Sequence, residues 1–268
     1  MFKLLIFKTG QSHEGPLTIN ELGVVLGQVR TAEKSNEITA IPALLNALLL
    51  KGAIVTIDAM GCQRAIAQKI VELGADYVLA VKEKQSALLS RIRTALDAIE
   101  RVPAAYADCT SEYREVEKGL GRIETRRCVA SNVLTRGEQG PELWPGLNTI
   151  AMVESTREIG DAVATERRYY VCSLPPDAAR IAHAARSHWA IENGMHWALD
   201  MAFGEDQCRV RVNNAAQNFA VLRRIALNLL RQDRTTKAGL KNRRMLACAN
   251  DRYLVGPEQS GSAYVARF

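Results

Sequence analysis

The chain has 268 residues, of which 47% are hydrophobic and 24% charged. This composition excludes a collagen-like, low-complexity or wholly disordered chain. No apolar run reaches the ~18 residues that a membrane-spanning helix needs, and the apolar stretch in MFKLLIFK is too short for a signal peptide. The six cysteines form no CxxC pair, which excludes a cysteine zinc ribbon and argues against a secreted disulfide scaffold. We therefore expect reduced thiols and a cytoplasmic protein.

The positive charge is concentrated near the C-terminus. The net charge is +6, yet residues 205–252 carry eleven Lys and Arg against four Asp and Glu, so the rest of the chain sums to about −1. A basic block on a near-neutral body suggests a polyanionic partner, with nucleic acid as the first candidate. The alternative is a solvated helix face without a partner.

The first hundred residues alternate between strand and helix patterns. Short β-rich runs predict strands at 22–29, 53–58 and 77–82. Apolar residues at helical spacing predict helices from the caps Ser35 and Asn36 to Leu48, and over 66–73 and 84–100. This order predicts a parallel sheet covered by helices.

The pattern changes after Pro103. Residues 112–130 predict an antiparallel hairpin around a GlyLeuGly turn, and further strands are predicted at 148–156 and 167–174. We expect 131–147 and 157–166 to be loops, and the chain from Ala178 to about Leu230 to be largely helical. The simplest account is an α/β domain with an inserted β-rich subdomain. Its predicted parts are residues 1–20, 21–103, 104–176 (the insertion), 177–255 and a loose tail at 256–268.

Asp58 is the first candidate for chemistry. It follows a predicted parallel strand, and ligands gather at the carboxyl ends of such strands. An acid there often binds a metal ion; the alternative is a cap on the next helix.

Glu192 is the second candidate. On a helix, His188, Glu192, His196 and Asp200 step by four and form a polar stripe. Two carboxylates from separate elements suit magnesium or manganese, and a pair of such ions can drive phosphodiester chemistry. The alternatives are a purely structural polar stripe, or a zinc site at His188, Glu192 and His196 whose spacing drifts from helical geometry.

Arginines and tryptophans offer candidate nucleic-acid contacts. The arginines near 122–127, at 167–168, and at 209, 211, 223, 224, 243 and 244 could contact phosphates. Trp144, Trp189 and Trp197 could stack on a base, or be buried instead.

Eight segments resemble one family, the ISAs-type insertion-sequence transposases, also called H-repeat-associated proteins. The segments follow the family's order over roughly residues 22–252. They are TIDAMGCQ (56–63), GADYVLAVK (74–82), GRIETR (121–126), ERRYYVCSL (166–174), HWAIEN (188–193), HWALD (196–200), FGEDQCRVR (203–211) and QNFAVLRRIALNLL (217–230).

The resemblance implies a ribonuclease-H-like DDE domain, with a mixed sheet flanked by helices, that uses two Mg or Mn ions. Asp58 would be the second metal-binding Asp and Glu192 the third acid. His188, His196 and Asp200 would support these ligands or be structural, and the β-rich block would contact the element end. The residues expected to meet the DNA backbone are Arg122, Arg126, Arg209 and Arg211.

The chain departs from the family at its first acid. The family's first Asp lies upstream of the LGQ strand, but no Asp precedes Asp58 here. Residues 1–20 do not resemble the family, and we expect FKLLIF to fill the first strand position by hydrophobic fit. A shifted reading frame or an alternative start would explain this, and whether Glu14 or Glu21 substitutes for the acid stays open.

Without the family's first Asp, too few carboxylates would remain to hold two divalent ions. The first hypothesis is therefore an impaired DDE transposase acting on its element's terminal repeats, with a homodimer left open. The second is a non-catalytic DNA-binding fragment that competes with an intact transposase. The third is a metal-dependent hydrolase that acts on something other than DNA.

Overall fold

The computed structural model describes residues 4–8, 37–119, 121–136, 144–191, 194, 197–210, 212–251 and 253. For residues 4–8, 37–40, 190 and 191 it describes the backbone only. The predicted strand at 22–29 lies outside these ranges.

The described chain forms seven strands and seven α-helices. The strands are β1 (Leu4–Lys8), β2 (Ala53–Ile57), β3 (Asp76–Val81), β4 (Thr110–Gly119), β5 (Arg122–Ser131), β6 (Thr149–Ile159) and β7 (Ala162–Cys172). The helices are α1 (Glu37–Asn46), α2 (Arg64–Glu72), α3 (Ser86–Arg101), α4 (Ala178–Ile191), α5 (Trp197–Phe203), α6 (Ala215–Gln232) and α7 (Leu240–Ala249). None of these helices is both long and apolar enough to cross a bilayer.

All seven strands belong to one mixed sheet, in the order β1-β2-β3-β7-β6-β5-β4. The predicted parallel pairing is confirmed for β2 and β3, which α2 connects. The other neighbouring pairs are antiparallel, so the sheet is mixed, as the family resemblance implies. The strand expected from FKLLIF is present as β1, and its Leu4 lies beside Ile57. Because this pairing is antiparallel, β1 ends beside the first residue of β2, Ala53, and not beside Asp58.

The prediction of a loop at 157–166 is wrong. Strands β6 and β7 run through it and are joined by a two-residue turn at Gly160–Asp161. Gly160 has a φ of +56°, a conformation that favours glycine in such hairpins. The strand signal is weak because Ala162 to Glu166 are all exposed, so no apolar face marks them. Strands β4 to β7 continue the sheet of β2 and β3 through the β3–β7 pair.

One face of the sheet carries the main hydrophobic core. Helix α3 shows how the sequence builds it, because its buried residues Leu88, Leu89, Ile92, Leu96 and Ile99 recur at helical spacing. They belong to one buried cluster with residues of α1, α2 and alternate positions of the strands. Strand β2 is buried along its whole length, as expected for a strand with helices on both faces.

Helix α4 covers the opposite face. Its first backbone N–H, at Ala178, donates to Ser111 Oγ of β4 at 2.8 Å. Ile181, which is fully buried, follows one turn later. Near the helix end, Arg186 and His188 contact β4 and β2. The helix therefore crosses the sheet from its outer strand towards Asp58.

The chain divides into two compact units, with a boundary between Trp189 and Ala190. The first contains the sheet, α1 to α3 and nearly all of α4. The second contains α5 to α7. Ala198 and Leu199 of α5 and Leu227 of α6 form a small buried cluster, and Leu240 of α7 packs against it. The prediction of a largely helical segment from Ala178 to about Leu230 is confirmed for the described residues.

Candidate active site

Asp58 directly follows β2 and is half-buried. Its side-chain Oδ1 lies 3.4 Å from the backbone N–H of Gly61, and its carbonyl oxygen accepts from the same N–H at 3.1 Å. The carboxylate therefore helps to shape the turn after the strand. The N-cap of α2 is Gln63, so the alternative that Asp58 caps this helix is wrong.

The turn after Asp58 is anchored to the core. Cys62 is fully buried, and Gln85 Nε2 donates to its carbonyl oxygen at 3.0 Å. Burial raises the pKa of the Cys62 thiol to about 12. The thiol is therefore neutral at physiological pH.

A buried hydrogen bond ties the strand before Asp58 to α4. Thr56 Oγ1 and His188 Nδ1 lie 3.0 Å apart, and both residues are buried. Side chains two residues apart on a strand point to the same face, so Thr56 and Asp58 share the face that α4 covers. The last described turn of α4 therefore lies at the end of β2 that leads to Asp58.

The residue after His188 fixes the same turn to a second strand. The guanidinium of Arg168, in β7, lies over the Trp189 ring with 3.7 Å from its carbon to the ring centroid. Glu166 holds Arg168 through two hydrogen bonds of 2.7 Å. Burial raises the pKa of Tyr170, two residues further along β7, to about 12, and a hydrogen bond with Trp189 opposes that rise. His188 and Trp189 thus attach the end of α4 to β2 and β7.

The remaining members of the predicted stripe are only partly described. Glu192 and His196 lie outside the described residues, so the structure does not test their placement. Asp200 lies in α5 and is half-buried. The described part of α4 ends at Ile191 and α5 begins at Trp197.

The described residues do not by themselves fit a two-ion site. Among them, no three His, Cys, Asp or Glu side chains form a metal-binding group. Thr56 and His188 are engaged with each other, which leaves Asp58 as one carboxylate ligand. Two divalent ions held close together need several anionic oxygen ligands. We therefore assign no reaction step to a metal ion held by the described residues alone.

Most arginines of the β-rich block are paired with carboxylates. Arg122 contacts Glu124 at 3.0 Å, and Arg126 contacts both Glu117, at 2.8 Å, and Glu124. A DNA phosphate would have to compete with these glutamates. The same holds for Arg127, Arg157, Arg167 and Arg168, each of which is paired with at least one glutamate.

The C-terminal arginines differ among themselves. Arg209 is exposed, while Arg211 lies outside the described residues. Arg224 is buried and bonded to Glu205 at 3.1 Å, so the interpretation that it contacts phosphates is wrong.

The three tryptophans also have different environments. Trp144 is buried in the core, as the alternative interpretation expects, and Trp189 packs under Arg168. Trp197 is 64% exposed. It is therefore the described tryptophan with a ring most open to solvent.

The roles of Thr56 and Arg168 were not predicted from the sequence. Thr56 is a polar residue within an otherwise apolar strand, AIVTI, and such a residue needs a buried hydrogen-bond partner. That signal was present, but the partner is 132 residues away. The contact of Arg168 with Trp189 carried no local signal, because it forms only across the fold.

Comparison with known proteins identifies the family. The family described as "Transposase DDE domain" matches residues 17–229. The chain is 41% identical over 250 residues to "Putative transposase YncI" of Escherichia coli O157:H7, covering 92% of this chain and 63% of that protein. It is 40% identical over 248 residues to "H repeat-associated putative transposase YhhI" of Escherichia coli K12, covering 89% and 63%. The chain thus spans less than two thirds of the length of these relatives. The match over most of its residues shows that it belongs to the DDE transposase domain family, with H-repeat-associated proteins among its relatives.

Proposed function

We propose that this chain is an insertion-sequence transposase domain that binds the DNA of element ends but is impaired in cutting it. In an intact relative, the proposed chemistry is metal-dependent cleavage and transfer of DNA strands. Family membership supports the substrate class, and the charge of the C-terminal region supports binding to a polyanion.

The observation that carries the proposal is the hydrogen bond between Thr56 and His188. It lies two residues before Asp58 on one element and four residues before Glu192 on the other. This supports a site that combines Asp58 and Glu192.

In this site Asp58 and Glu192 are the proposed metal ligands, with Mg or Mn as the ion. A divalent ion would supply electrostatic stabilisation of the phosphate group under attack. The proposed task of His188 and Trp189 is to hold the helix that precedes Glu192. His196 and Asp200 are assigned a supporting role.

The mixed sheet with helices on both faces supports a ribonuclease-H-like domain. In that arrangement residues 21–103 and 177–255 form the catalytic domain, and residues 104–176 form an insertion that contacts the element end. Arg122, Arg126, Arg209 and Arg211 are proposed backbone contacts. Arg209 is the strongest of the three that the structure describes, because its side chain is exposed whereas Arg122 and Arg126 are paired with glutamates.

The impairment follows from the missing acid. No Asp precedes Asp58 in the 268 residues, and the acids Glu14 and Glu21 lie in a segment without the family's motif. Two carboxylates are too few to hold two divalent ions close together. The chain is therefore expected to retain DNA binding and to lose strand cleavage.

A cleavage assay tests the proposal. The full chain is incubated with Mg²⁺ or Mn²⁺ and a labelled duplex that carries the element ends of the source genome, beside D58A as the matched control. We expect equal, background cleavage from both proteins and a measurable gel shift. Robust cleavage that D58A abolishes would contradict the impairment, and absence of any DNA binding at low salt would contradict the transposase function itself.

A second candidate is a DNA-binding fragment that competes with an intact transposase. The concentration of positive charge in residues 205–252 favours it. It predicts that the chain lowers cleavage by an intact relative in proportion to its own DNA occupancy. A metal-dependent hydrolase of another substrate would instead show no DNA affinity at low salt. A cytoplasmic location and a homodimer complete the proposal.

A further inference from the structure

Acids balance the basic residues in the β-rich block, but not in the C-terminal unit. In the β-rich block, residues 110–131 and 149–172 carry eight Lys and Arg and eight Asp and Glu, so their charges balance. In the C-terminal unit, residues 233–244 carry five Lys and Arg and one acid, Asp233. The unbalanced positive charge is therefore concentrated in the loop between α6 and α7 and in the first part of α7.

One of these five cations shapes the loop. The guanidinium of Arg243 donates to the carbonyl oxygens of four residues. They are Leu230 at 3.1 Å, Asp233 at 2.5 Å, Thr236 at 2.7 Å and Ala238 at 2.8 Å. A single side chain thus satisfies carbonyl groups from the end of α6 to the start of α7. Arg243 therefore has a structural role in this loop.

Asp233, the first residue after α6, also holds the loop in place. The carboxylate of Asp233 accepts from the backbone N–H groups of Thr235 and Thr236, from the Thr235 hydroxyl at 2.7 Å and from the Tyr253 hydroxyl at 2.7 Å. Burial alone would raise the pKa of Asp233, but these hydrogen bonds outweigh it and lower the pKa well below its usual range. The loop is therefore held in a defined conformation by two charged side chains.

The exposed charged side chains of this loop are cations. Arg234 and Lys237 are exposed, and so is Lys241 in the first turn of α7. The N-cap of α7 is Gly239, which has no side chain to bond the helix N-terminus, and the first turn contains no acid. The free N–H groups and the helix dipole add positive potential where the lysines already lie.

We propose that the loop from Arg234 to Gly239 and the first turn of α7 form the main contact surface for DNA phosphates. This inference rests on the proposed function for its partner. The anion of a DNA backbone fits because the surface offers several spaced cations and backbone N–H groups, and no pocket for a small ligand is required. Phosphate contacts fix position without reading bases, so this surface is expected to bind any duplex.

The salt dependence of binding measures the contacts directly. A labelled 30-base-pair duplex is titrated with the full chain by fluorescence anisotropy at several NaCl concentrations. Each phosphate contact that a substitution removes should reduce the slope of log Kd against log salt by about 0.9. We expect R234A/K237A to reduce the slope by about one to two, and to weaken binding by on the order of tenfold or more at 0.1 M salt. The reduction in affinity should be equal for an element-end duplex and a scrambled one.

Two further variants make the test decisive. R91A/R101A removes two exposed cations from α3 and is expected to leave the slope unchanged. R234K/K237R exchanges the side chains but retains both charges, and is expected to bind like the unaltered chain. The inference would be overturned if the unaltered chain binds DNA and R234A/K237A shows the same slope of log Kd against log salt. That result would leave the proposed function standing. No binding of any duplex by the unaltered chain would overturn both.

Discussion

At the scale of single residues, Thr56 shows how one polar atom fixes the position of a helix. Its hydroxyl is buried in a strand whose other four residues are Ala, Ile, Val and Ile, and its partner is His188 of α4. An unsatisfied polar group in such surroundings is costly, so the pair selects one position of the helix end over others. The bond contributes more to placing the end of α4 than to net stability.

Replacing Thr56 with Val tests this contribution. The variant keeps the shape of the side chain but takes the hydroxyl away from the buried imidazole. We expect the free energy of unfolding to fall by about 1–3 kcal/mol, measured by urea denaturation.

Thr165→Val is the matched control, because its hydrogen bond to Thr156 is exposed. Its expected effect is within about 0.5 kcal/mol. Equal effects of the two substitutions would show that the Thr56–His188 bond has no special role.

At the scale of elements, α4 is attached to the sheet by both apolar and charged contacts. Ile181 is fully buried beneath the helix. Arg186 contacts Glu115 at 2.7 Å and also Glu117, but all three side chains are about a third exposed or more. Exposed ion pairs contribute little because solvent screens them, so apolar burial should dominate.

Two substitutions on α4 compare these contributions. We expect I181A to lower the free energy of unfolding by about 2–5 kcal/mol, because it leaves a cavity. R186A should lower it by no more than about 1 kcal/mol. Urea denaturation of both variants decides, and a larger decrease for R186A than for I181A would contradict this view of how the helix is held.

The elements also show what sequence patterns can and cannot predict. Strands β2 and β3 were predicted from short β-rich runs whose residues are mostly buried, and helices α2 and α3 from buried residues at helical spacing. The last three residues of β6 and the first five of β7 were missed, because most of them are exposed and no apolar face marks them. The Thr56–His188 contact could not be predicted, since it joins residues far apart in the chain. Asp58 was found because the position of an acid after a strand is visible locally.

At the scale of the whole molecule, the carboxylates of the first unit make its stability depend on pH. Hydrogen bonds from Arg186, and then from Arg126, lower the pKa of Glu117, and those from Arg127 lower the pKa of Glu112. A group whose pKa is lower in the folded state stabilises that state above its unfolded value and loses this contribution as the pH falls through the folded value. Stability should therefore decline on the acid side of the ordinary value of 4.5.

This decline can be measured by urea denaturation between pH 7 and pH 3. We expect a constant midpoint from pH 7 to about pH 5.5 and a falling midpoint below about pH 4.5. The fall should be shallower in the double variant R127A/R186A and unchanged in R91A. An identical acid limb in R127A/R186A would show that these arginines do not set the carboxylate pKa values.

The central claim about the whole molecule is that Asp58 and Glu192 serve one site. Binding of Mn²⁺ to the full chain, followed by electron paramagnetic resonance, tests it most directly through D58N, E192Q and the double variant, with D161N, an exposed acid of the β6–β7 turn, as the control. Two ligands of one ion are not independent, so their effects should not add. We expect one weak site, binding at least about tenfold weaker in each single variant, and no further weakening in the double variant. Unchanged binding in either single variant, or effects that add in full, would contradict the claim.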